Sequence, residues 1–270
     1  MPKDTYILIS TTQESVFLEA SKELKITGFN KKEFINEIYG KKLDKEQIEL
    51  ILSEPQTSNP LFLKALIEEL RVFGDYKKLS ERIRELLEVQ TVDDLFEKIF
   101  ARCEEDYGSF VKDVLSLMHV SRDGLSESEI LELLGFSVSR KSLSTFLLAI
   151  DAYVIDINGY LKPAHLYIEK AIEDRYLKEE NTKRQYRELI FSYYSQQHLK
   201  DTEKARRELP WQAYEMKDAE KLLNVLCDEK LLKTLLEVED NPELAKYLTY
   251  LRDEGLLEAS GVDFGAKHRA

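Results

Sequence analysis

The sequence predicts a mainly α protein that carries a single β-hairpin near its middle. Three observations point there. Apolar residues recur at helical spacing along most of the 270 residues, Gly and Pro number only ten and six, and one Asn-Gly pair separates two short alternating apolar runs. A chain of this length can bury a substantial core and is expected to hold two or three structural units.

Taken in order, residues 5–10, TYILIS, read as one short buried strand with no second parallel strand after it. From Asn30 the pattern turns helical. NKKEFINEIYG and LDKEQIELILS begin at candidate caps, Asn30 and Asp44, and Gly40 can stop the first. In SNPLFLKALIEELRVFG, residues 58–74, Asn59 can cap a helix whose first position is Pro60, where a missing amide donor does no harm. Leu63, Leu66, Ile67, Leu70 and Phe73 then share one face, and Gly74 can end the helix. Two further helices over 76–89 and 92–107 complete a bundle.

SFVKDVLSLMHV is expected to be a helix, LSESEILELLG a second opened by a capping box of Ser126 and Glu129, and SRKSLSTFLLAID a third. AYVIDINGYLKPAH follows as a hairpin, because Asn158 and Gly159 supply the positive φ angles of a tight turn. Three helices and a hairpin make a winged helix. Beyond it lie amphipathic helices over HLYIEKAIEDRYL and NTKRQYRELIFSYYSQQHL, then ELPWQAYEMKD, AEKLLNVLCDE, LLKTLLEVE and NPELAKYLTYLRDEG. These read as stacked, helical-repeat-like hairpins without a strict period. Residues 257–270 lack periodicity and are expected to be a disordered tail.

The formal charge of -12 argues against attraction to phosphate backbones or anionic lipid. Cys103 and Cys227 stand far apart, which argues against a disulfide framework or a zinc site and fits a reducing compartment; both read as small core residues. The apolar run at the start is too short for a signal peptide core, and none elsewhere has membrane-spanning length, so the default location is cytoplasmic.

The sequence contains no GxxxxGK loop, HExxH, GxSxG or paired Cys ligands, and His119, His165, His198 and His268 share no ligand spacing. Acidic pairs such as Glu68 with Glu69 and Glu104 with Glu105 read as solvated helix faces. In the third helix of the winged unit Arg140 and Lys141 stand only at the start, while Leu143, Phe146, Leu147 and Ile150 read as buried, which argues against DNA recognition. Trp211, after Pro210 at an expected helix start, is either a core anchor or a partner contact. Phe191, Tyr193 and Tyr194 read as packing between helices.

YILIST (6–11), YGKKLDKEQIELIL (39–52), SNPLFLKALIEELRVFG (58–74), VLSLMHVSRDGLSESEILELLG (114–135), LKPAHLYIEKAIEDRYL (161–177) and ELPWQAYE (208–215) occur in an order that resembles the STAND class of signal-transduction NTPases. The similarity is to the NACHT-like branch that holds nephrocystin-3 and telomerase-associated proteins. It implies a remnant strand of an NTPase core over 1–12, a helical lid over 13–108, a winged helix over 109–178 and a helical superstructure over 179–256. It also implies that Pro60 packs on adenine, with the Asn59 helix start beside it favouring phosphate, and that His165 touches the diphosphate. Read without the resemblance, Pro60 is a helix-starting proline and His165 a helix cap.

Because positions matching the Walker motifs are missing, no cofactor is expected on this chain alone. ADP or ATP is expected only when a P-loop NTPase core joins it in cis or in trans. The sequence thus supports a regulatory, noncatalytic half of a STAND-type NTPase that senses nucleotide and relays a switch. The alternatives are a nucleotide-independent scaffold binding protein partners through its helical region, and a winged-helix DNA-binding regulator.

Overall fold

A computed structural model describes residues 30–38, 43–135, 137–196, 199, 202–228, 231 and 241–256. The chain divides into two compact units, Met1–Asn30 and Lys31–Ala270, and every element below belongs to the second. The expected first strand, the stop at Gly40, the helix over LLKTLLEVE beyond Leu231, the 257–270 tail, His198 and His268 lie outside the described residues.

The chain is mainly α. Helices α1 (Lys31–Ile38), α2 (Lys45–Ser53), α3 (Pro60–Val72), α4 (Leu79–Leu87) and α5 (Val92–Tyr107) form the first bundle. Local chemistry starts α2, α3 and α5 where the sequence predicts, while α4 begins at Leu79, three residues later than expected, after a 3-10 turn over Tyr76–Lys78. Asp44 and Gln47 make a reciprocal capping box at α2, and Asn59 Oδ1 accepts from the N–H of Leu61 (2.9 Å) and of Phe62 (3.4 Å) ahead of Pro60. Helix α3 is the buried spine of this bundle. Phe62, Leu63, Leu66, Ile67 and Leu70 are all shut from solvent, whereas an isolated helix of this length would be marginal. Helix α5 ends at Gly108, whose φ of 99° suits a residue without Cβ.

Helices α6 (Phe110–Val120), α7 (Glu127–Leu133) and α8 (Arg140–Ala149) lead into strands β1 (Val154–Ile157) and β2 (Tyr160–Pro163). The Ser126–Glu129 capping box opens α7 as expected. The strands pair antiparallel with Ile157 opposite Tyr160, and the turn between them uses positive φ at Asn158 (57°) and Gly159 (86°). Leu125 forms an isolated bridge to Leu161, so the loop after α6 borders the hairpin.

Helices α9 (Leu166–Tyr176), α10 (Glu180–Tyr194), α11 (Glu203–Glu215), α12 (Ala219–Leu226) and α13 (Pro242–Asp253) complete the described elements. Helix α10 packs on α6 and α11, α11 on α12, and α12 on α13. Ala213, Leu222, Leu226, Leu231, Leu244, Tyr247 and Leu251 form a separate apolar core beneath the last three. One expectation is corrected here. Pro210 does not open a helix but lies inside α11, which starts at Glu203 where Thr202 Oγ accepts the Ala205 N–H at 3.2 Å. Pro210 removes one N–H from the helical ladder, and the burial of its neighbours holds the helix together across it.

Candidate functional site

Helices α3, α5 and α9 run in the same direction. Gln56, just before α3, donates to the Leu87 and Val89 carbonyls ahead of α5, while Glu69 late in α3 binds Arg102 late in α5. Lys170 pairs with Asp93 at the start of α5, and Tyr176 pairs with Glu104 toward its end. Asn59, Pro60 and His165 therefore all lie toward the end of this layer where α5 begins. All three are exposed. His165 caps α9, its Nδ1 accepting the Tyr167 N–H at 3.3 Å, and its ring stacks on that of Tyr167 with centroids 5.4 Å apart. Both helix-starting roles that the residues allow, at Pro60 and at His165, are thus present.

The layer is tied by buried charge. The Glu69 carboxylate is wholly buried, accepting from Arg82 Nη2 at 2.8 Å and from Arg102 Nη2 at 3.0 Å. Glu104 receives both Arg175 and Tyr176, and the Arg175 bonds hold its carboxyl below the usual range against the opposing effect of burial. Glu68 and Glu69 are buried and Glu104 is half-buried, so the expectation of solvated acidic faces holds only for Glu105. Only tertiary partners 13 to 33 residues away for Glu69, and 71 or 72 for Glu104, distinguish these acids from their exposed neighbour.

A second polar cluster joins the loop after α6 to α11. Glu208 and Gln212 are wholly buried. Glu208 Oε1 accepts the backbone N–H groups of Arg122 (2.9 Å) and Asp123 (3.2 Å), and its Oε2 accepts from Gln212 Nε2 at 2.9 Å. Burial pushes the Glu208 carboxyl up, and these bonds oppose the shift. A third cluster sits beside it: Glu129 accepts from Lys204 (2.6 Å) and Tyr194 (2.7 Å), and the Lys204 ammonium lies 3.9 Å from the Tyr160 ring centroid. Tyr193 donates to Glu132 at 2.7 Å, so the tyrosines read as packing residues also carry hydrogen bonds. Sequence reasoning missed Lys204, Glu208 and Gln212, and no local spacing marks them.

Across the C-terminal helices a cavity of about 280 Å³ opens between α10, α11 and α12, with Phe191, Leu209, Val225 and Leu231 as its apolar wall and Arg206 and Lys221 among its polar lining. Trp211 is half-buried and in mid-helix, with Lys246 Nζ 5.3 Å from its ring. Cys103 is buried, as expected, and its thiol is pushed up to about 12 by burial, whereas Cys227 is exposed. Leu143, Phe146 and Ile150 are buried and Leu147 half-buried on α8, in line with an apolar third helix. No helix among the described residues is long and apolar enough to cross a membrane.

The sequence is similar to known proteins at low identity. It is 31% identical over 144 residues to a TPR repeat-containing protein of Dictyostelium discoideum, covering 52% of this chain and 9% of that protein. It is 24% identical over 211 residues to nephrocystin-3 of Mus musculus, covering 74% of this chain and 16% of the relative. Telomerase protein component 1 of Mus musculus is 32% identical over 98 residues, covering 34% and 4%. The chain thus spans a small part of each relative. No protein-family model matches it, and no solved structure does.

Proposed function

We propose that this chain is a noncatalytic protein-interaction module, in which the C-terminal helices present a binding surface and the preceding helices orient it. The observation that carries this reading is the apolar wall of Phe191, Leu209, Val225 and Leu231, open between helices that stack in sequence on a core of their own. Stacked helical pairs offer concave surfaces of this kind. The similarity to a protein named for TPR repeats supports the same reading. A photo-crosslinking amino acid placed at exposed Asn224 should trap a defined protein that the same probe at exposed Lys141 does not. The trapped protein, purified, should bind the wild-type chain and bind Val225→Glu about tenfold or more weakly. Equal trapping at both positions would remove the reading.

A second reading is favoured by the shared direction of α3, α5 and α9. In it the chain is the lid, winged helix and helical region of a STAND-type regulator, and Asn59, Pro60 and His165 face a nucleotide held by a P-loop core. Exposure of all three residues at one end of the layer is the geometry it requires. His165 can donate to a phosphate oxygen from Nε2 while Nδ1 keeps its bond to the Tyr167 N–H. Joined to a P-loop core, the wild-type chain should hold ADP about tenfold or more tightly than His165→Ala does. Equal affinities would leave the interaction module alone.

A further inference from the structure

The loop from Ser121 to Leu125 is held from two sides by elements far apart in sequence. On one side α11 reads the end of α6 with two side chains one turn apart. Glu208 takes the N–H groups of Arg122 and Asp123, and Gln212 Nε2 donates to the Val120 carbonyl at 2.8 Å. Arg187 of α10 supports Gln212 by donating to its Oε1 at 3.1 Å. A wholly buried carboxylate with three donors is costly to release, because an opened site leaves polar groups without partners in an apolar setting.

On the other side the hairpin grips the same residues. Leu125 and Leu161 exchange backbone bonds of 3.1 and 2.9 Å, and Lys162 Nζ donates to the Arg122 carbonyl at 2.7 Å. Arg122 thus offers its N–H to α11 and its carbonyl oxygen to β2. Gly124, with φ of 83°, lets the backbone pass so close to the hairpin that a Cβ there would stand 2.7 Å from the Leu161 oxygen. The guanidinium of Arg122 carries the link onward, to the Arg207 carbonyl at 3.2 Å and to Glu243 of α13 at 2.8 Å.

We propose that the 121–125 loop is a two-sided latch that couples the hairpin to the C-terminal helices, so that neither moves without the other. Glu208 and Lys162 are its positioning residues. A partner that shifts α11 would pull Glu208 from the Arg122 and Asp123 amides and slacken the strand contact at Leu125. A force on the hairpin would travel the opposite way. The coupling element is one peptide segment with bonds on both edges, which meets the requirement that both sites bias a common structural unit.

Amide hydrogen exchange on the full chain tests this in both directions. Glu208→Ala should speed exchange about tenfold at Arg122 and Asp123, and also at Leu125 and Leu161 on the hairpin side. Lys162→Met, a change on the hairpin that leaves Glu208 intact, should speed exchange at Arg122 and Asp123 about threefold or more. The latch is refuted if Glu208→Ala loosens Arg122 and Asp123 while Leu125 and Leu161 keep their wild-type rates. Should Glu208→Ala not fold, Lys162→Met decides alone: wild-type rates at Arg122 and Asp123 would overturn the proposal.

Discussion

Tyr153 donates its phenolic O–H to the carbonyl oxygen of Ala65, 3.1 Å away and 88 residues earlier, at a point closed to solvent. Its ring meets that of Phe96 edge to face with centroids 5.4 Å apart, so one side chain binds α3 and α5 to the entrance of the hairpin. Tyr153→Phe keeps the ring and deletes the bond. The expected loss is about 1 kcal/mol, read from urea denaturation at unchanged m-value.

Glu69 is the common acceptor of Arg82 and Arg102, with its own side chain wholly buried and the arginines nearly so. Glu69→Ala removes the charge that both guanidinium groups face and should destabilise the chain by about 3 to 5 kcal/mol. Glu69→Gln retains one acceptor oxygen and should lose less. Equal losses for the two would mean that the negative charge alone, and neither side-chain volume nor a remaining acceptor oxygen, holds α3, α4 and α5 together.

His119 on α6 is mostly buried, and burial pushes it down to about 4 even though Glu173 lies 3.9 Å from its Nε2. Lys183 and Arg187 add repulsion of the charged form. A depressed folded value means that this contribution is complete above the unfolded value of about 6.5 and declines as pH falls toward about 4, amounting to about 3 kcal/mol. Glu104 and Glu173 are also held low, Glu104 first by Arg175 and Glu173 first by Lys183, so their contributions fade only below the unfolded carboxylate value of about 4.3. The wild type should therefore lose stability between about pH 6.5 and 5 relative to His119→Leu, which keeps only the opposite, smaller trend of the raised Glu208 carboxyl; parallel curves of denaturation midpoint against pH would rule out His119 as the source.

Gly124 and Gly159 both adopt positive φ, 83° and 86°, yet their surroundings differ. A Cβ on Gly159 meets open space, while one on Gly124 meets the Leu161 oxygen and the Lys162 side chain at 2.7 Å. Gly159→Ala should cost about 1 kcal/mol from backbone strain alone, and Gly124→Ala about 1 to 3 kcal/mol more from the added clash. Thermal unfolding of the two variants side by side checks the order.

Features settled within a few residues were legible in the sequence. Asp44, Asn59 and Ser126 cap the helices they were read to cap, and Asn158 with Gly159 turns the hairpin, because these choices depend on one side chain and an adjacent backbone. Pro210 misled because proline commonly opens helices, and the nearer signal, Thr202, lies upstream of a stretch too polar to advertise a helix. Glu69, Glu104 and Glu208 could not be told from surface acids, since their partners come from other elements. Of the candidate site, the capping roles at Asn59 and His165 were legible; the common direction of the helices that carry them was not.

The reach of the Glu208 contact, 86 residues back to Arg122, has a consequence for synthesis. At about 5 to 20 residues per second, the ribosome needs roughly 4 to 17 s to add the residues separating Arg122 from its acceptor. During that interval the hairpin can already close on Leu125, because Leu161 and Lys162 are made well before Glu208. The loop can therefore meet the hairpin before it meets α11, and on the latch proposed above that first contact stays loose until the Glu208 carboxylate reaches the Arg122 and Asp123 amides.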